Sequence, residues 1–118
     1  MVDPFTHRVI ATGYNGFPRG VRDTIDRLMN REEKYELTIH GEENALLYAG
    51  RESKGKTMYL THPPCSRCAV KMVQMGIARI VTIPPNDDFT HRWGASFERS
   101  ALILQEAGVT YEAIYEAE

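Results

Sequence analysis

The sequence predicts a single α/β domain in which helices pack against a largely parallel sheet. Short runs rich in β-branched residues alternate with longer stretches whose apolar residues recur at helical spacing. Alternation of this kind is typical of layered α/β folds. The length of 118 residues suits one domain, 1–118, and allows a chain to bury roughly 65% of its unfolded surface.

The N-terminal half is predicted to contain, in order, a strand, a loop and two helices: residues 7–12, 13–23, 24–35 and 40–50. The loop is predicted because glycine, asparagine and proline interrupt any regular period. The first helix places Ile25, Leu28 and Met29 on one side and charged residues on the other. The second helix carries Glu42 and Glu43 in its first turn, where the helix dipole favours acids.

The C-terminal half is predicted to contain strand 56–61, helix 64–74, strand 77–83, loop 84–93, helix 95–107 and strand 109–115. Gly76 and Gly108 follow the two helices, where a chain leaving a helix often needs a left-handed residue. The run 77–83 is rich in β-branched residues and predicts a buried strand. This order favours parallel strands joined by crossover helices.

Two short motifs, His40-x-Glu42 and Pro64-Cys65-x-x-Cys68, supply three candidate metal ligands and one free acid. A structural zinc site has four protein ligands, whereas a hydrolytic site uses three and leaves the fourth position to water. Glu42 lies two residues from the histidine, where it can reach that water without binding the metal. The combination is typical of zinc nucleobase deaminases, in which the glutamate is the general acid and base.

Two other interpretations of these residues stay open. Cys65 and Cys68 fall on one helical face and could be small buried hydrophobes, although burial requires neither the preceding proline nor the upstream His-x-Glu. Alternatively, His62 could complete a structural site with four ligands. Pro63 and Pro64 oppose that interpretation because they stiffen the segment between His62 and the cysteines.

Composition and charge restrict the partners. No run of about twenty apolar residues indicates a membrane span. The formal net charge of -2 and pI near 6.1 argue against binding a nucleic acid polymer and favour a small substrate. Both of the chain's two cysteines belong to the metal motif, so we expect no disulfide and a reducing, cytoplasmic location.

Several motifs occur in a fixed order along nearly the whole chain. They are Gly13-Tyr14-Asn15-Gly16, Asp23, His40-x-Glu42-x-Asn44-Ala45, Tyr59-Leu60-Thr61, Pro64-Cys65-x-x-Cys68, Gly76-Ile77 and Ala107-Gly108-Val109. In these motifs the chain resembles the deoxycytidylate (dCMP) deaminase family of the cytidine deaminase superfamily. The resemblance implies a three-layer α/β/α sandwich with a mixed central sheet. It also implies a homo-oligomer, commonly a hexamer, that is regulated by dCTP and dTTP.

The resemblance further implies zinc-dependent conversion of dCMP to dUMP and ammonia. His40, Cys65 and Cys68 would bind Zn²⁺, and Glu42 would move the protons. Glu42 would take a proton from the attacking water, deliver it to N3 of cytosine, and pass the second proton to the exocyclic amine as ammonia leaves. One carboxylate can serve both transfers because it is not tied to the metal.

The resemblance assigns the glycine-rich loop to nucleotide binding. Asn15 would hydrogen-bond the bound nucleotide, with Gly13, Gly16 and Asp23 near it, and the nucleotide is either the substrate or a regulatory triphosphate. The sequence departs from the usual His-Ala-Glu of the family by having Gly41. Glycine costs roughly 1 kcal/mol of helix propensity relative to alanine but removes no chemical group.

Other functions stay open beside dCMP deamination. The same zinc core would suit a deaminase of guanine or of a tRNA adenosine. From a different class, the chain could be a non-catalytic regulatory nucleotide binder that uses zinc for folding. Glu42 favours an enzyme, since a binding module has no use for a free acid beside the metal.

The start of the chain departs from the family, whose N-terminal helix and first strand are missing here. Residues 3–6 predict a turn, so Val2 would be the last residue of the lost strand and residues 7–12 would have an unpaired edge. We therefore expect either a truncated form of a longer reading frame or an edge that is buried in an oligomer.

The phosphate-binding residues are not determined by the sequence. Arg19, Arg22 and Lys71 are candidates only because a monophosphate favours Arg or Lys. Trp93, with His91 and Arg92 in the predicted loop, could cover a base or hold a phosphate, or it could pack under its own segment. Glu43 is expected to be a solvated first-turn acid.

Overall fold

The computed structural model describes residues 1–114. Its helices and strands are, in chain order, α1 (Ile25–Met29), α2 (Arg31–Leu37), α3 (Gly41–Ala49), β1 (Thr57–Leu60), α4 (Ser66–Gln74), β2 (Arg79–Thr82), α5 (Asp87–Glu106) and β3 (Thr110–Ala113), with a short 3₁₀ turn at Gly50–Ser53. No helix in the described part of the chain is both long and apolar enough to cross a membrane. The predicted α/β class is confirmed.

The sheet has the order β1-β2-β3, and both neighbouring pairs are parallel. Met58 pairs with Ile80 and Ile80 with Tyr111, so these residues share one face of the sheet. Each strand is joined to the next by a helix, and right-handed crossovers in a sheet of this order place α4 and α5 on the same side.

The core lies between that sheet face and helices α3, α4 and α5. It contains Met1, Ala45, Leu46, Met58, Cys68, Ala69, Met72, Ile77, Ile80 and Leu104. The opposite face carries Tyr59 and the Arg79–Glu112 ion pair, which are exposed. Within residues 1–114, therefore, helices cover one face of the sheet. These residues do not include the second helical layer of the predicted α/β/α sandwich.

Residues 7–12 do not form the predicted strand. Val2 makes isolated antiparallel bridges to Val9 and to Thr57, and further backbone hydrogen bonds join residues 1–3 to residues 8–11 without forming a regular ladder. The predicted turn is present: the Asp3 carboxylate accepts hydrogen bonds from the backbone N–H groups of Phe5 and Thr6. The strand prediction was wrong because the N–H groups of Ile10 and Ala11 both point to the single Met1 carbonyl, a pattern that interrupts a regular ladder.

The helix predicted at residues 24–35 is two helices with a break at Asn30. Asn30 has extended backbone angles, and its side-chain oxygen accepts from the N–H of Glu33, which starts α2 as a new helix. The predicted apolar side is also exposed, since Ile25 and Met29 are 77% and 80% accessible. Helical spacing was therefore misleading here because no core lies under it.

The predicted loop at 84–93 was wrong in its second part. Helix α5 begins at Asp87, and Asp87 and Asp88 lie in its first turn, where acids favour a helix N-terminus. Gly94 does not break the helix, and a methyl group there would meet nothing within 4 Å. The last strand is shorter than the predicted 109–115, and Tyr115 lies outside the described residues.

Candidate metal centre and active-site cavity

Each of the two metal motifs lies at the start of a helix. His40 is the N-cap of α3, with extended backbone angles, and Cys65 is the N-cap of α4. In the described chain neither side chain caps its own helix by a hydrogen bond, so both remain available to a ligand. Cys68 follows in the first turn of α4 and is buried. Both helices therefore direct their positive ends towards one point.

The three candidate ligands converge. The Nδ1 atom of His40 lies 3.5 Å from the sulfur of Cys65 and 3.4 Å from that of Cys68, and all three ligand atoms lie within 4.8 Å of one another. Tetrahedral zinc bonds to one nitrogen and one sulfur would place those two atoms about 3.6 Å apart. The donor set and its spacing therefore fit zinc, with Nδ1 as the facing nitrogen of His40.

The protons of this cluster are shared between its members. A hydrogen bond from the Cys68 thiol lowers the pKa of Cys65, and the same contact raises the pKa of Cys68. The hydrogen bond with Cys65 raises the pKa of His40. Without a cation the cluster thus favours one thiolate, and a metal ion would have to displace the remaining protons.

Glu42 lies beside this cluster without belonging to it. The residue is only 6% exposed, in the first turn of α3, and its Oε1 lies 3.9 Å from the Nδ1 of His62. The same His62 nitrogen lies 2.9 Å from the carbonyl oxygen of Pro63. His62 is not a member of the ligand cluster in the described chain, which argues against its interpretation as a fourth ligand.

The glycine-rich loop is fixed to the start of α3 by two reciprocal hydrogen bonds. The Oδ1 atom of Asn15 accepts from the N–H of Gly41 at 2.7 Å, and the Nδ2 of Asn44 donates to the carbonyl of Tyr14 at 3.0 Å. Gly13 allows the loop to approach, because a methyl group there would lie 2.1 Å from the Gly41 carbonyl oxygen. Asn15 therefore positions the loop against the metal helix.

There is also a steric reason for glycine at position 41. A methyl group on it would lie 3.0 Å from the carbonyl oxygen of Gly13 and 3.2 Å from the Cα of Tyr14. Both neighbours are backbone atoms, which yield less than the end of a flexible side chain. Glycine in place of the family's usual alanine therefore leaves room for the loop to lie close to the start of α3.

A cavity of about 860 Å³ lies next to the metal cluster. Its described lining residues are Asn15, Gly16, Phe17, Asp23, Leu28, Lys34, Tyr35, Thr38, His40, His62, Pro63, Cys65, Ser66, Arg67, Arg92, Trp93, Ser96 and Phe97. A volume of this size suits a nucleotide. Of the predicted nucleotide residues, Asn15, Gly16 and Asp23 line it, whereas Gly13 lines a second cavity of about 320 Å³ together with Gly16.

Helix α5 supports the cysteine segment from the other side. The hydroxyl of Ser96 accepts from the N–H of Ser66 at 2.8 Å, and the hydroxyl of Ser100 donates to the carbonyl of Pro64 at 2.8 Å. The sequence prediction missed these two serines, although both lie in the predicted helix 95–107, because which side of that helix faces the cysteine segment depends on the fold. Serines four residues apart, at 96 and 100, were the available signal for a polar stripe on a helix.

The basic candidates are placed differently from the prediction. Lys71 forms an ion pair with Glu43, with a nitrogen–oxygen distance of 2.7 Å, so neither is a free surface charge. Arg19 lines the smaller cavity. Of the cations on the wall of the large cavity, Lys34 and Arg67 were not among the candidates, whereas Arg92 lies in the segment that was expected to cover a base or hold a phosphate.

An α/β sheet with two helix N-termini, three zinc-type donors and an adjacent free carboxylate defines the class of zinc-dependent deaminases. The sequence model described as the cytidine and deoxycytidylate deaminase zinc-binding region matches residues 1–83 of this chain. The chain therefore belongs to that family, as the sequence motifs predicted. The match to a zinc-binding region and the His/Cys/Cys cluster also confirm zinc as the predicted cofactor.

Curated relatives include an uncharacterised deaminase from the luxG 3′ region of Aliivibrio fischeri, 41% identical over 87% of this chain and 69% of that protein. The deoxycytidylate deaminases of Schizosaccharomyces pombe and Saccharomyces cerevisiae are each 38% identical over 87% of this chain. This chain spans only 33% of the length of each yeast protein.

The fold is also similar to crystal structures of the dCMP deaminase from the cyanophage S-TIM5. Its apo form has a TM-score of 0.62 and 23% identity, covering 92% of this chain and 74% of that one. Its complex with dCMP and dUMP has a TM-score of 0.62 and 22% identity, covering 92% and 75%. At this identity the likeness shows the fold alone.

Proposed function

We propose that this chain catalyses the hydrolytic deamination of dCMP to dUMP and ammonia, with His40, Cys65 and Cys68 as zinc ligands and Glu42 as the proton carrier. The observation that carries the proposal is the three-donor cluster with a buried carboxylate beside it and a nucleotide-sized cavity in front. The deoxycytidylate deaminases among the relatives support the choice of substrate.

The chemistry requires water to be activated and two protons to be moved. When bound, zinc supplies a Lewis acid that lowers the pKa of a coordinated water to about 7. Glu42 takes the first proton from the water and gives it to N3 of the cytosine ring. The water oxygen adds to C4 of the ring. Glu42 then transfers the remaining hydroxyl proton to the exocyclic nitrogen, and the C4–N bond breaks to release ammonia.

Burial suits Glu42 for this role, because a carboxylate that is shielded from bulk water keeps its proton for the substrate. His62 lies on the cavity wall and next to Glu42, so it helps to hold the carboxylate in place. Asn15 uses its oxygen on the Gly41 N–H, which leaves its Nδ2 group to donate to a nucleotide in the cavity.

Ammonia release from a substrate panel tests the proposal. Wild-type protein and the Glu42→Gln variant are compared on dCMP, CMP, deoxycytidine, dCTP and guanine. We expect turnover of dCMP well above that of guanine, and none with the variant. Guanine turnover above dCMP turnover would favour the other deaminase, while tight nucleotide binding without ammonia release would favour a regulatory binder.

We also propose that the active form is a homo-oligomer, that dCTP and dTTP shift its activity in opposite directions, and that it works in the cytoplasm. The glycine-rich loop supports regulation, because its backbone can approach phosphates closely. Free thiols at the metal centre suit a reducing compartment. Light scattering, with rate curves for each triphosphate, tests assembly and regulation separately.

A further inference from the structure

The wall of the large cavity has a charge opposite to that of the chain. The chain carries a formal net charge of -2, yet the described wall has three permanent cations, Lys34, Arg67 and Arg92, against one carboxylate, Asp23. Low-dielectric walls concentrate such a field within a cleft. The cavity therefore favours an anionic ligand over a neutral nucleoside or base.

These three cations have no carboxylate partner among residues 1–114. Four cations outside the cavity do have such partners: Arg27, Lys56, Lys71 and Arg79 form ion pairs with acids elsewhere on the surface. An unpaired cation in a partly enclosed cleft is available to an anionic ligand. A phosphate group satisfies this need better than a hydroxyl group, since it accepts several charge-assisted hydrogen bonds.

Arg92 has a second positive group beside it. The Tyr35 hydroxyl, on α2, accepts a hydrogen bond from the Nε of Arg31 at 3.2 Å, and the Arg31 guanidinium lies over the Tyr35 ring at 5.4 Å. Arg92, on α5, faces the same phenol and contributes to lowering the pKa of Tyr35. Two guanidinium groups thus approach one neutral oxygen, an arrangement that a bound anion would stabilise.

The three cations of the cavity wall lie on different elements, and only one of these elements carries metal ligands. Arg67 lies between Cys65 and Cys68, at the metal end of the cavity, where the base must bind. Lys34 and Arg92 come from α2 and α5, elements that carry no metal-site residue. They are therefore placed to bind the end of a nucleotide that points away from the reacting ring.

We infer that Arg92 and Lys34 bind the 5′-phosphate of the substrate, and that they make the enzyme select a nucleoside monophosphate over the nucleoside. This inference rests on the proposed function for its substrate. A nucleoside monophosphate is mostly a dianion at neutral pH, with a second pKa of about 6, so two cations match its charge.

The test compares Arg92→Gln and Lys34→Gln with the wild type on dCMP and on deoxycytidine, which lacks the phosphate. Arg99→Gln is the matched control, because Arg99 is exposed on the same helix but outside the cavity wall. We expect each cavity variant to lower kcat/KM for dCMP about 10- to 100-fold, mainly through KM. Deoxycytidine turnover and the control should stay within about 2-fold.

Equilibrium binding gives a readout that does not depend on turnover. Trp93 is the one tryptophan of the chain and lines the cavity next to Arg92, so its fluorescence reports binding of dUMP and of deoxyuridine. The variants should weaken dUMP binding and leave deoxyuridine binding unchanged. If wild type binds dUMP in this manner but releases no ammonia from any substrate, the proposed function fails and the phosphate site stands.

Three results would overturn the inference. Equal losses on dCMP and deoxycytidine would show that Arg92 and Lys34 act through structure. An unchanged preference for dCMP in both variants would place the phosphate elsewhere. A selective loss of dCMP turnover in Arg67→Gln alone would place it at the metal helix.

Discussion

The two sides of the active-site cavity are built in different ways. The metal side consists of α3 and α4, whose inner residues, such as Leu46 and Met72, belong to the core. The facing wall includes α1 and α2, residues 25–37, and within the described chain neither helix contributes a buried side chain. The wall is held instead by the Asn30 cap and the exposed Arg27–Glu33 ion pair.

This difference separates the chemistry from the selection of substrate. The groups that react are fixed by buried packing, where a displacement is resisted by many contacts. Leu28, Lys34 and Tyr35 of the far wall lie on α1 and α2, a segment whose local opening costs little because few buried contacts are lost. Substitutions on the metal side should therefore change kcat and stability, whereas substitutions on the wall should change KM.

Removing zinc should have the largest effect and should be confined to the metal side. A chelator should abolish turnover and lower Tm on the order of 10 °C, because a tightly bound ion stabilises the folded state. Hydrogen exchange should show lost protection in α3 and α4 and little change in α1 and α2. Equal loss of protection in all four helices would contradict the proposed difference between the metal side and the facing wall.

Zinc affinity should also fall at low pH. The Cys65 contact raises the pKa of His40, so at a pH below that raised value His40 carries a proton that the metal must displace. Metal analysis after dialysis at a series of pH values measures the zinc that the protein retains. The retained zinc should decrease as the pH falls. Retention that is independent of pH would remove His40 from the ligand set.

Glu42→Gln should come next, with kcat lowered by about 10³-fold or more and about one zinc per chain retained. The amide keeps the shape of the side chain but cannot accept the proton of water. Glu43→Gln is the control, since Glu43 lies next in sequence but pairs with Lys71. Substantial turnover by Glu42→Gln would exclude it as the proton carrier.

Gly13→Ala should have a smaller effect, about 1–3 kcal/mol of unfolding free energy. The added methyl group would meet the Gly41 carbonyl at 2.1 Å, so the loop must move away from α3. Gly94→Ala is the matched control, because nothing lies within 4 Å and alanine favours the helix. Denaturant unfolding measures the change in stability. Equal midpoints for Gly13→Ala and wild type would contradict the close approach of the loop to the Gly41 carbonyl.

Asn30→Ala should have the smallest effect on the whole protein. It removes the cap of α2, a loss of about 1 kcal/mol of local helix stability. We expect KM for dCMP to rise a few-fold while kcat and Tm stay near wild-type values. A fall in kcat without a change in KM would show that the wall takes part in the chemistry.

The metal side was predictable from the sequence because its signals are local. His-x-Glu and Cys-x-x-Cys each lie at a helix start, and their residue types fix the chemistry before the fold is known. The parallel strands at 57–60 and 79–82 lie within the predicted strands 56–61 and 77–83, the second of which is rich in β-branched residues. Roles for His40, Glu42, Cys65 and Cys68 stay predictions until they are measured.

The facing wall was not predictable, because its signals depend on tertiary position. Ile25 and Met29 have helical spacing, and only the fold reveals that no core lies beneath them. Residues 84–93 were predicted to be a loop, yet α5 begins at Asp87 and contacts the cysteine segment through serines. Lys34 and Arg92 are 58 positions apart, so no local pattern could show that they line one cavity.

The contact between Gly13 and Gly41 has a consequence for how this chain can exchange parts with its relatives. The two positions are sterically coupled, since a methyl group on Gly13 would overlap the Gly41 carbonyl at 2.1 Å and one on Gly41 would make a tight contact with the Gly13 carbonyl at 3.0 Å. A chimera with a crossover between them would inherit each position from a different parent. Recombination is therefore expected to tolerate junctions after residue 41 far better than junctions between 13 and 41, even where both parents are active enzymes.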